Sequence, residues 1–455
     1  MINKIKGTKD FSVTESILKD FVLTSFENVV TKHEFKMIET PIIEQTSLFK
    51  RSVGDSEIAK KEMYEFKDKG DRELCLRPEG TASFVRAYIE NKWYADDFDR
   101  FAYCGPMFRY EQPQKGRYRQ FYQAGVEYVG GKNYLKDAEV IFTANELLEL
   151  FNLEFELKIN SIGDKQSRAN YEEALYQYLI QYKDQLSQIS QERLADKKVL
   201  RILDDKEDSK KPFMKNIPLI QDYLTVESKE YFENILKTLD ANGIEYKVSN
   251  ELVRGLDYYD EVVFEFVSTE KNAGSQATLI GGGRYSNLIA ELGGPKVSSV
   301  GFGFGVDRLI DMIREDFAEV TEVEKQARHV DIYIAMSEYK ENIDFAFWLA
   351  NNHLRNFFTA EVEYELIKSK KVMDKANKHT AEFIIYDDKM CGGDQLLSVK
   401  SLKTKDKMSF AKTQAGIADL FTFLIENVSD EAEIEIDEVE EYITEEIMGK
   451  NEKDN

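Results

Sequence analysis

Residues 105–123 have types and a spacing that suit the binding of a phosphate group. Arg109 ends a predicted strand. The loop that follows is rich in Gly, Pro and Gln, and it carries three further cations, Lys115, Arg117 and Arg119, before a second strand. A planar guanidinium binds phosphate oxygens through paired hydrogen bonds and stabilises the charge that develops in phosphoryl or nucleotidyl transfer. The pattern therefore predicts a β-hairpin built around an anion. The alternative is a solvated hairpin whose charges only aid solubility.

Two further clusters combine charged and aromatic residues. Pro78-Glu79-Gly80-Thr81 precedes an apolar helix, and it predicts Thr81 as the N-cap and Glu79 as a free carboxylate. Arg254, Tyr258 and Tyr259 adjoin a strand-like run and predict a polar pocket lined by hydroxyl groups. Simple helix capping and an ordinary turn are the respective alternatives.

Glycine-rich segments complete the set. Residues 281–285 read Gly-Gly-Gly-Arg-Tyr, glycine occupies every second position from 301 to 305, and Arg308 begins a helix. Such glycines let a backbone pass close to a ligand, although the spacing is that of neither a Walker nor a Rossmann loop. Close packing of a strand against a helix is the alternative.

Apolar spacing predicts the elements that must position these clusters. It favours a helix over residues 12–32, strands at 35–40, 62–66, 73–77 and 98–103, and helices at 81–91 and 138–151. Strands separated by helices indicate an α+β fold, with a largely antiparallel sheet flanked by helices. We expect a catalytic domain over 1–325 with a helical insertion at about 165–240, an α/β domain over 326–429, and an acidic tail over 430–455. The tail is expected to be a solvated helix or disordered.

The net charge bears on the partner. The 455 residues include 61 Lys and Arg and 84 Asp and Glu, for a net charge of −23, which argues against a nucleic-acid partner if the charge is evenly spread. It is not: residues 430–455 hold 12 acidic and 2 basic residues, whereas 368–412 hold 11 Lys and 6 acidic residues. With three scattered cysteines and no apolar run of membrane-spanning length, the sequence predicts a cytoplasmic protein without a membrane partner.

Together, the clusters resemble the class II aminoacyl-tRNA synthetases, and among them the histidyl-tRNA synthetases. Arg109 and its loop match motif 2, residues 301–309 match motif 3, and 35–41 match the end of motif 1 with its dimer-interface proline. Residues 252–259 and 281–285 look like the two histidine-specific signatures. The similarity runs from about residue 6 to about residue 425.

The resemblance implies which residues bind histidine. The α-amino group is assigned to Glu79, Thr81 and Gln123. The imidazole is assigned to Glu127 and Tyr259, with Tyr258 and Tyr285 nearby. A carboxylate and a phenol pair with both ring nitrogens and would be left unpaired by the wrong amino acid.

It also implies the ATP and tRNA contacts. Arg109 and Arg308 are assigned to the ATP phosphates, Glu111 to adenine, and Arg254 to the reacting carboxylate and α-phosphate. Arg254 and Arg109 are the catalytic residues that the resemblance implies. The residues assigned to the tRNA acceptor end are Gln114, Arg117 and Arg119.

The implied reaction is attack of the histidine carboxylate on the ATP α-phosphorus, followed by transfer of histidine to tRNA-His. It needs no protein nucleophile, and it rests on positioning, charge stabilisation and Mg²⁺. No specific Mg²⁺ ligand is predicted. The resemblance also implies a homodimer, and a lysine-rich stretch that meets the anticodon arm.

Departures from the pattern leave alternatives open. Gln112 stands where bacterial relatives usually have Arg, and Tyr122 where they often have His, so reading of the extra 5′ guanosine of tRNA-His is unsettled. A histidine-sensing regulatory subunit of ATP phosphoribosyltransferase is the rival interpretation. That paralogue typically lacks the C-terminal domain and the arginines retained here. A synthetase-like module of a stress kinase is a third, without a kinase signature to support it.

Overall fold

A computed structural model describes residues 2–52, 61–111, 117–203, 205, 207–250, 252, 258–270, 277–316, 327–387, 395–428 and 435–448. The chain divides into two compact units, Met1–Phe317 and Ala318–Asn455, and each is described by itself. Within the described residues, no helix has both the length and the apolar character needed to cross a bilayer.

The described part of the first unit contains both strands and helices. Its strands are β1 Lys36–Ile38, β2 Ile43–Gln45, β3 Tyr64–Lys67, β4 Glu73–Leu76, β5 Arg100–Phe108, β6 Gln120–Gly130, β7 Phe155–Gly163, β8 Lys247–Val248, β9 Asp260–Ser268, β10 Thr278–Tyr285 and β11 Ser298–Gly305. Its helices are α1 Val13–Lys32, α2 Thr46–Ser52, α3 Thr81–Glu90, α4 Tyr134–Glu149, α5 Lys165–Leu179, α6 Gln188–Ala195, α7 Leu200–Leu203, α8 Val226–Ala241, α9 Leu288–Glu291 and α10 Val306–Asp316.

The core of the first unit is an eight-stranded sheet with the order β1-β5-β6-β11-β10-β9-β7-β8. Only the end pairs, β1 with β5 and β8 with β7, are parallel among its described pairings. The prediction of an α+β fold with a largely antiparallel sheet flanked by helices is confirmed. The apolar spacing does not predict strands β10 and β11, because glycine is rare in strands and conceals the alternation.

Helix α1 covers one part of this sheet. Ser12 caps it, and Ser12 and Glu15 form a reciprocal capping box. Its apolar stripe is buried, and Phe26 packs edge-to-face on Phe304 of β11, with ring centroids 5.5 Å apart. The helix predicted from apolar spacing is therefore present with its start and end as expected.

The second unit contains a five-stranded sheet with the order β13-β12-β14-β15-β16. Its strands are β12 Ile332–Ala335, β13 Ala360–Val362, β14 Phe383–Tyr386, β15 Leu396–Ser401 and β16 Lys407–Ala411. Its helices are α11 Glu341–Asn352, α12 Ser369–Lys378, α13 Gln414–Asn427 and α14 Ile436–Tyr442, which continues as a π-helical segment, Ile443–Met448.

The acidic tail packs against the second unit. Val439 and Ile447 are fully buried, and the ring of Tyr442 contacts Phe357 and Phe421 at centroid distances of 5.1 and 5.9 Å. The expectation of a solvated tail is therefore wrong for residues 436–447. A few apolar residues at helical spacing are enough to attach the segment, and the surrounding carboxylates conceal them in the average composition.

His33 ties the end of α1 to α4, and this contact predicts a pH effect. Its Nδ1 lies 2.7 Å from Glu139 and its Nε2 lies 2.9 Å from Glu146. The hydrogen bond with Glu139 is the largest cause of a raised His33 pKa, with burial opposing it. The stabilisation is complete below the ordinary histidine pKa of about 6.5 and is lost as pH rises through the raised pKa.

We expect His33→Gln to destabilise the first unit by about 1 kcal/mol at pH 6, because the two carboxylates are partly solvated. The difference from wild type should shrink at higher pH. Urea unfolding at a series of pH values measures it, and a difference that does not change with pH would contradict the assignment.

Candidate active site

Polar side chains from three parts of the first unit form a largely buried cluster, which is the candidate histidine pocket. Glu79 precedes α3, Gln123 and Glu127 lie on β6, and Tyr285 ends β10. Glu79, Glu127 and Tyr285 are 3%, 1% and 2% exposed. The Tyr285 hydroxyl donates to Glu127 Oε2 at 2.6 Å, and the Gly80 N–H donates to Gln123 Oε1 at 3.0 Å. Most of the residues assigned to histidine thus lie together.

Glu79 caps helix α3 from outside its first turn. Its carboxylate accepts the N–H groups of Thr81 at 2.7 Å and Ala82 at 2.8 Å, and Gly80 occupies the N-cap. The predictions of a Thr81 N-cap and a free Glu79 carboxylate are therefore wrong. The longer Glu79 side chain reaches the N–H groups, so the Thr81 hydroxyl can interact instead with Glu79, Tyr103 and Glu127.

The rings of three tyrosines pack together beside this cluster. Tyr258 contacts Tyr259 at 4.7 Å and Tyr285 at 5.6 Å between ring centroids. Tyr258 and Tyr285 are buried, and Tyr259 is partly buried. These rings lie beside Glu127, because Tyr285 bonds to it directly.

Tyr103 is a pocket residue that the sequence reading missed. It lies on β5 opposite Gly125 of β6, and it is buried. A Cβ on Gly80 or on Gly125 would lie within 2.8 Å of its ring or hydroxyl. A tyrosine opposite a glycine in the predicted hairpin was the signal that could have identified it.

The alternating glycines of β11 make room for pocket side chains. A Cβ on Gly301 would lie 2.2 Å from Glu127 Oε2, and one on Gly303 would lie 2.9 Å from Gln123 Nε2. These glycines therefore admit protein side chains from the neighbouring strand. This differs from both interpretations of the sequence, which placed a ligand or a helix against them.

The pocket favours neutral carboxyl groups. Burial raises the pKa of Glu127 to about 8, and nearby Glu79 adds to the shift, whereas hydrogen bonds from Tyr285 and Thr81 oppose it. Burial also raises the pKa of Glu79, opposed by its two backbone N–H bonds. Such a site is suited to a ligand that brings its own hydrogen-bond donors or positive charge.

Three arginines, Arg109, Arg117 and Arg308, lie close together beside the hairpin. Arg109 donates from Nε to Pro78 O at 2.8 Å, and Arg308 donates to Thr278 O at 2.7 Å. Burial lowers the pKa of Arg308, and Arg117 and Arg109 lower it further, whereas Glu111 opposes them. Arg109 and Arg117 beside Arg308 concentrate positive charge, and this favours the binding of a polyanion.

Glu111 and Arg119 complete the described part of this region. Glu111 lies 3.2 Å from Arg117 and 3.9 Å from Arg109. Arg119 stacks over the Tyr110 ring at 4.0 Å and donates to the Glu111 carbonyl at 3.3 Å. The predicted residues Arg254 and Gln114 lie outside the described residues.

A buried ion pair supports β10 next to the pocket. Arg284 NH2 lies 2.6 Å from Asp137 Oδ2, with both side chains at most 1% exposed. Tyr231 of α8 also donates to Asp137, at 2.5 Å. The pair fixes the residue adjacent to Tyr285 to α4 and to the helical insertion, and a buried pair of this kind is costly to break.

Comparisons with known proteins agree with this geometry. A family model described as histidyl-tRNA synthetase matches residues 7–309. A histidine–tRNA ligase from Mycoplasmopsis synoviae (strain 53) is 46% identical over 383 residues, which cover 82% of this chain and 77% of that protein. One from Mycoplasmopsis pulmonis (strain UAB CTIP) is 38% identical, covering 93% of this chain and 99% of that protein.

Solved structures give the same result. Apo histidyl-tRNA synthetase from S. aureus matches with a TM-score of 0.73 at 33% identity, over 90% of this chain and 97% of that one. An ATP phosphoribosyltransferase regulatory subunit/histidyl-tRNA synthetase from Bacillus halodurans C matches at 20% identity with a TM-score of 0.58, over 85% of this chain and 98% of that one, and it shows the fold alone. The chain therefore belongs to the histidyl-tRNA synthetase family.

Proposed function

We propose that the protein joins histidine to ATP as histidyl-adenylate and then transfers the histidyl group to tRNA-His. The observation that carries this proposal is the largely buried cluster of Glu79, Gln123, Glu127 and Tyr285 in the same unit as the arginine cluster of Arg109, Arg117 and Arg308. The presence of those arginines, and of an α/β unit after residue 317, disfavours the regulatory-subunit alternative.

In the proposed roles, Glu79, Thr81 and Gln123 hold the α-amino group of histidine. Glu127 and Tyr259 bind the imidazole, and Tyr258 and Tyr285 support them. The proposed binding residues for ATP are Arg109, Glu111 and Arg308. Arg254 is proposed at the reacting carboxylate, and Gln114, Arg117 and Arg119 at the tRNA acceptor end.

Charge stabilisation then comes from fixed groups. Arg109 and Arg308 are held by backbone carbonyls, so they need little reorganisation when charge builds on the phosphates. Mg²⁺ bound with ATP would neutralise phosphate charge. Glu265 of β9, whose charge acts on Arg308, is a carboxylate that fits a cation in this region. The described residues contain no group of three or more metal-ligating side chains.

Histidine-dependent exchange between ATP and pyrophosphate tests the first step, and charging of tRNA-His tests the second. We expect exchange with histidine and little with other amino acids, because buried polar groups reject ligands that leave them unpaired. Absence of histidine-dependent exchange in pure, folded protein would refute the proposal.

The edge of the large sheet supports a homodimer. β1 is its terminal strand. Met37 on β1 and Ile42 and Ile43 in the segment that follows are each at least 40% exposed. An exposed apolar strand edge is a surface on which another chain can pair. A cytoplasmic location stays a prediction.

The lysines of α12 support binding of the anticodon arm by the second unit. Lys370 and Lys371 are exposed on this helix. We expect Lys370→Gln/Lys371→Gln to raise KM for tRNA-His about threefold and to lower the salt dependence by about two counterions, with exchange unchanged. Lys67→Gln/Lys69→Gln removes two exposed lysines elsewhere and is the matched control. An equal effect of both double variants would contradict a specific contact.

A further inference from the structure

The segment that precedes α1 is bonded to the returning limb of the hairpin. The Arg119 N–H donates to the Gly7 carbonyl at 2.7 Å. Gly7 has a φ of +90°, which is costly for other residues, and the turn is closed by a hydrogen bond from Thr8 Oγ1 to Ile5 O at 2.7 Å. Residues 5–9 therefore form an ordered segment next to Arg119, and we call this segment the strap.

Lys9 fastens this strap to α10. Its Nζ lies 3.1 Å from Asp311 Oδ1 and 3.3 Å from Glu15 Oε1, with each of the three side chains at most 16% exposed. Glu15 also accepts the Ser12 N–H in the capping box of α1. Lys9 therefore links the start of α1 to α10 through largely buried contacts, where ion pairs are stronger than at the surface.

The same carboxylate of α10 holds the hairpin. The Tyr118 hydroxyl donates to Asp311 Oδ2 at 3.2 Å, and the Tyr122 N–H donates to Asp307 Oδ2 at 2.6 Å. Asp307 and Asp311 are one helical turn apart, so they lie on one face of α10. Both anchor the limb that carries Arg117 and Arg119. The outgoing limb pairs with it through the Arg109 N–H bond to Arg119 O at 3.0 Å, but the Arg109 guanidinium donates to Pro78 O.

We propose that Lys9, Tyr118 and Asp311 form a positioning cluster that orients the returning limb of the hairpin toward the tRNA acceptor end. This inference rests on the proposed assignment of Arg117 and Arg119 to that end. Among the described residues, the side chains of the cluster contact neither Arg109 on the outgoing limb nor the histidine pocket. It should therefore affect transfer to tRNA much more than adenylate formation.

The test compares the two half-reactions in Lys9→Met and Tyr118→Phe. We expect kcat/KM for tRNA-His to fall about tenfold in each variant, since small errors in positioning cost one to two orders of magnitude in rate. Histidine-dependent exchange should stay within about twofold. Because both side chains act through Asp311, the double variant should lose less than the product of the single effects. Lys9→Arg should recover most of the charging activity.

Two controls match the chemistry of the substitutions. Lys4→Met removes an ion pair with Asp10 that is largely solvent-exposed. Tyr246→Phe removes a hydroxyl that donates to Asp240 at 3.2 Å, the same distance as in the cluster. Neither control should change charging.

Each outcome decides a separate question. A parallel loss of exchange and charging, or no loss of charging, would overturn the inference. If Lys9→Met fails to fold, Tyr118→Phe, which removes only a hydroxyl, still decides it. Wild-type protein without histidine-dependent exchange would instead refute the proposed function.

Discussion

Replacement of Glu127 with glutamine is expected to remove most histidine activation and, at the same time, to stabilise the first unit at pH 8. Glutamine keeps the shape of the side chain and can still accept the Tyr285 hydroxyl bond, which is 2.6 Å in the wild type. It cannot take up or give up a proton with the bound imidazole. Loss of one charged hydrogen bond is worth about 2.7 kcal/mol, or about 100-fold in kcat/KM for histidine.

The stability gain follows from the pKa of Glu127. In the folded protein this pKa is raised to about 8, chiefly by burial. In the unfolded chain it is about 4.3, so between these values the unfolded state gives up a proton that the folded state retains. The wild type therefore loses stability as pH rises across this range. Each unit of the difference corresponds to about 1.4 kcal/mol, and glutamine avoids this cost.

Urea unfolding at pH 5 and pH 8 measures the effect, together with ATP–pyrophosphate exchange. We expect the free energy of unfolding of Glu127→Gln to exceed that of the wild type by several kcal/mol at pH 8 and by little at pH 5. Glu230→Gln, an exposed position on α8, is the matched control and should change neither property. A variant that is less stable than the wild type at pH 8 would show that the buried carboxyl is not held neutral.

The sequence predicted the hairpin well because its signals are local. The strand ending in Phe108 and the returning strand appear in the structure with Phe108 opposite Gln120, whereas residues 112–116 of the loop lie outside the described residues. The conjunction of Arg109 with the glycine-rich and tyrosine-rich segments also led to the correct family. Local alternation and a distinctive order of motifs carry that information without any knowledge of long-range packing.

The sequence could not show contacts that join distant segments. Tyr103 enters the pocket because Gly80 and Gly125, far apart in the chain, both leave space for it. Glu79 was mistaken for a free carboxylate because Ser, Thr, Asp and Asn are the usual caps, whereas here the residue before the N-cap reaches the helix N–H groups. Composition predicts a solvated tail because it is dominated by the residues on the face that points to water.

Deletion of residues 435–455 is expected to destabilise the second unit strongly. Val439, Tyr442 and Ile447 would leave an apolar surface that includes Phe357 and Phe421. The Tyr442 hydroxyl also bonds to His353 Nδ1 at 3.0 Å and donates to Asn352 O at 3.1 Å. Burial of a large apolar side chain is worth about 1.5–3 kcal/mol, so the two fully buried tail residues, Val439 and Ile447, give an expected loss of about 3–6 kcal/mol.

Tryptophan fluorescence can follow this unit separately. The chain has two tryptophans, and Trp348 lies in the second unit with its ring 4.8 Å from that of His353. In a Trp93→Phe background, the urea midpoint reported by Trp348 should fall in the deletion variant. Val439→Asp in the full-length chain should lower it similarly, because it places an unpaired charge at a fully buried position.

The exposed carboxylates of the tail provide the contrast. Glu440 and Glu441 lie on α14 with their side chains in water, so Glu440→Gln/Glu441→Gln should shift the midpoint little. If only the apolar substitutions destabilise the unit, the tail is attached through its apolar residues, and its charge is left on the surface. If the deletion and Val439→Asp both leave the midpoint unchanged, the tail does not contribute to the fold in solution. It is then a solvated segment, as its composition predicts.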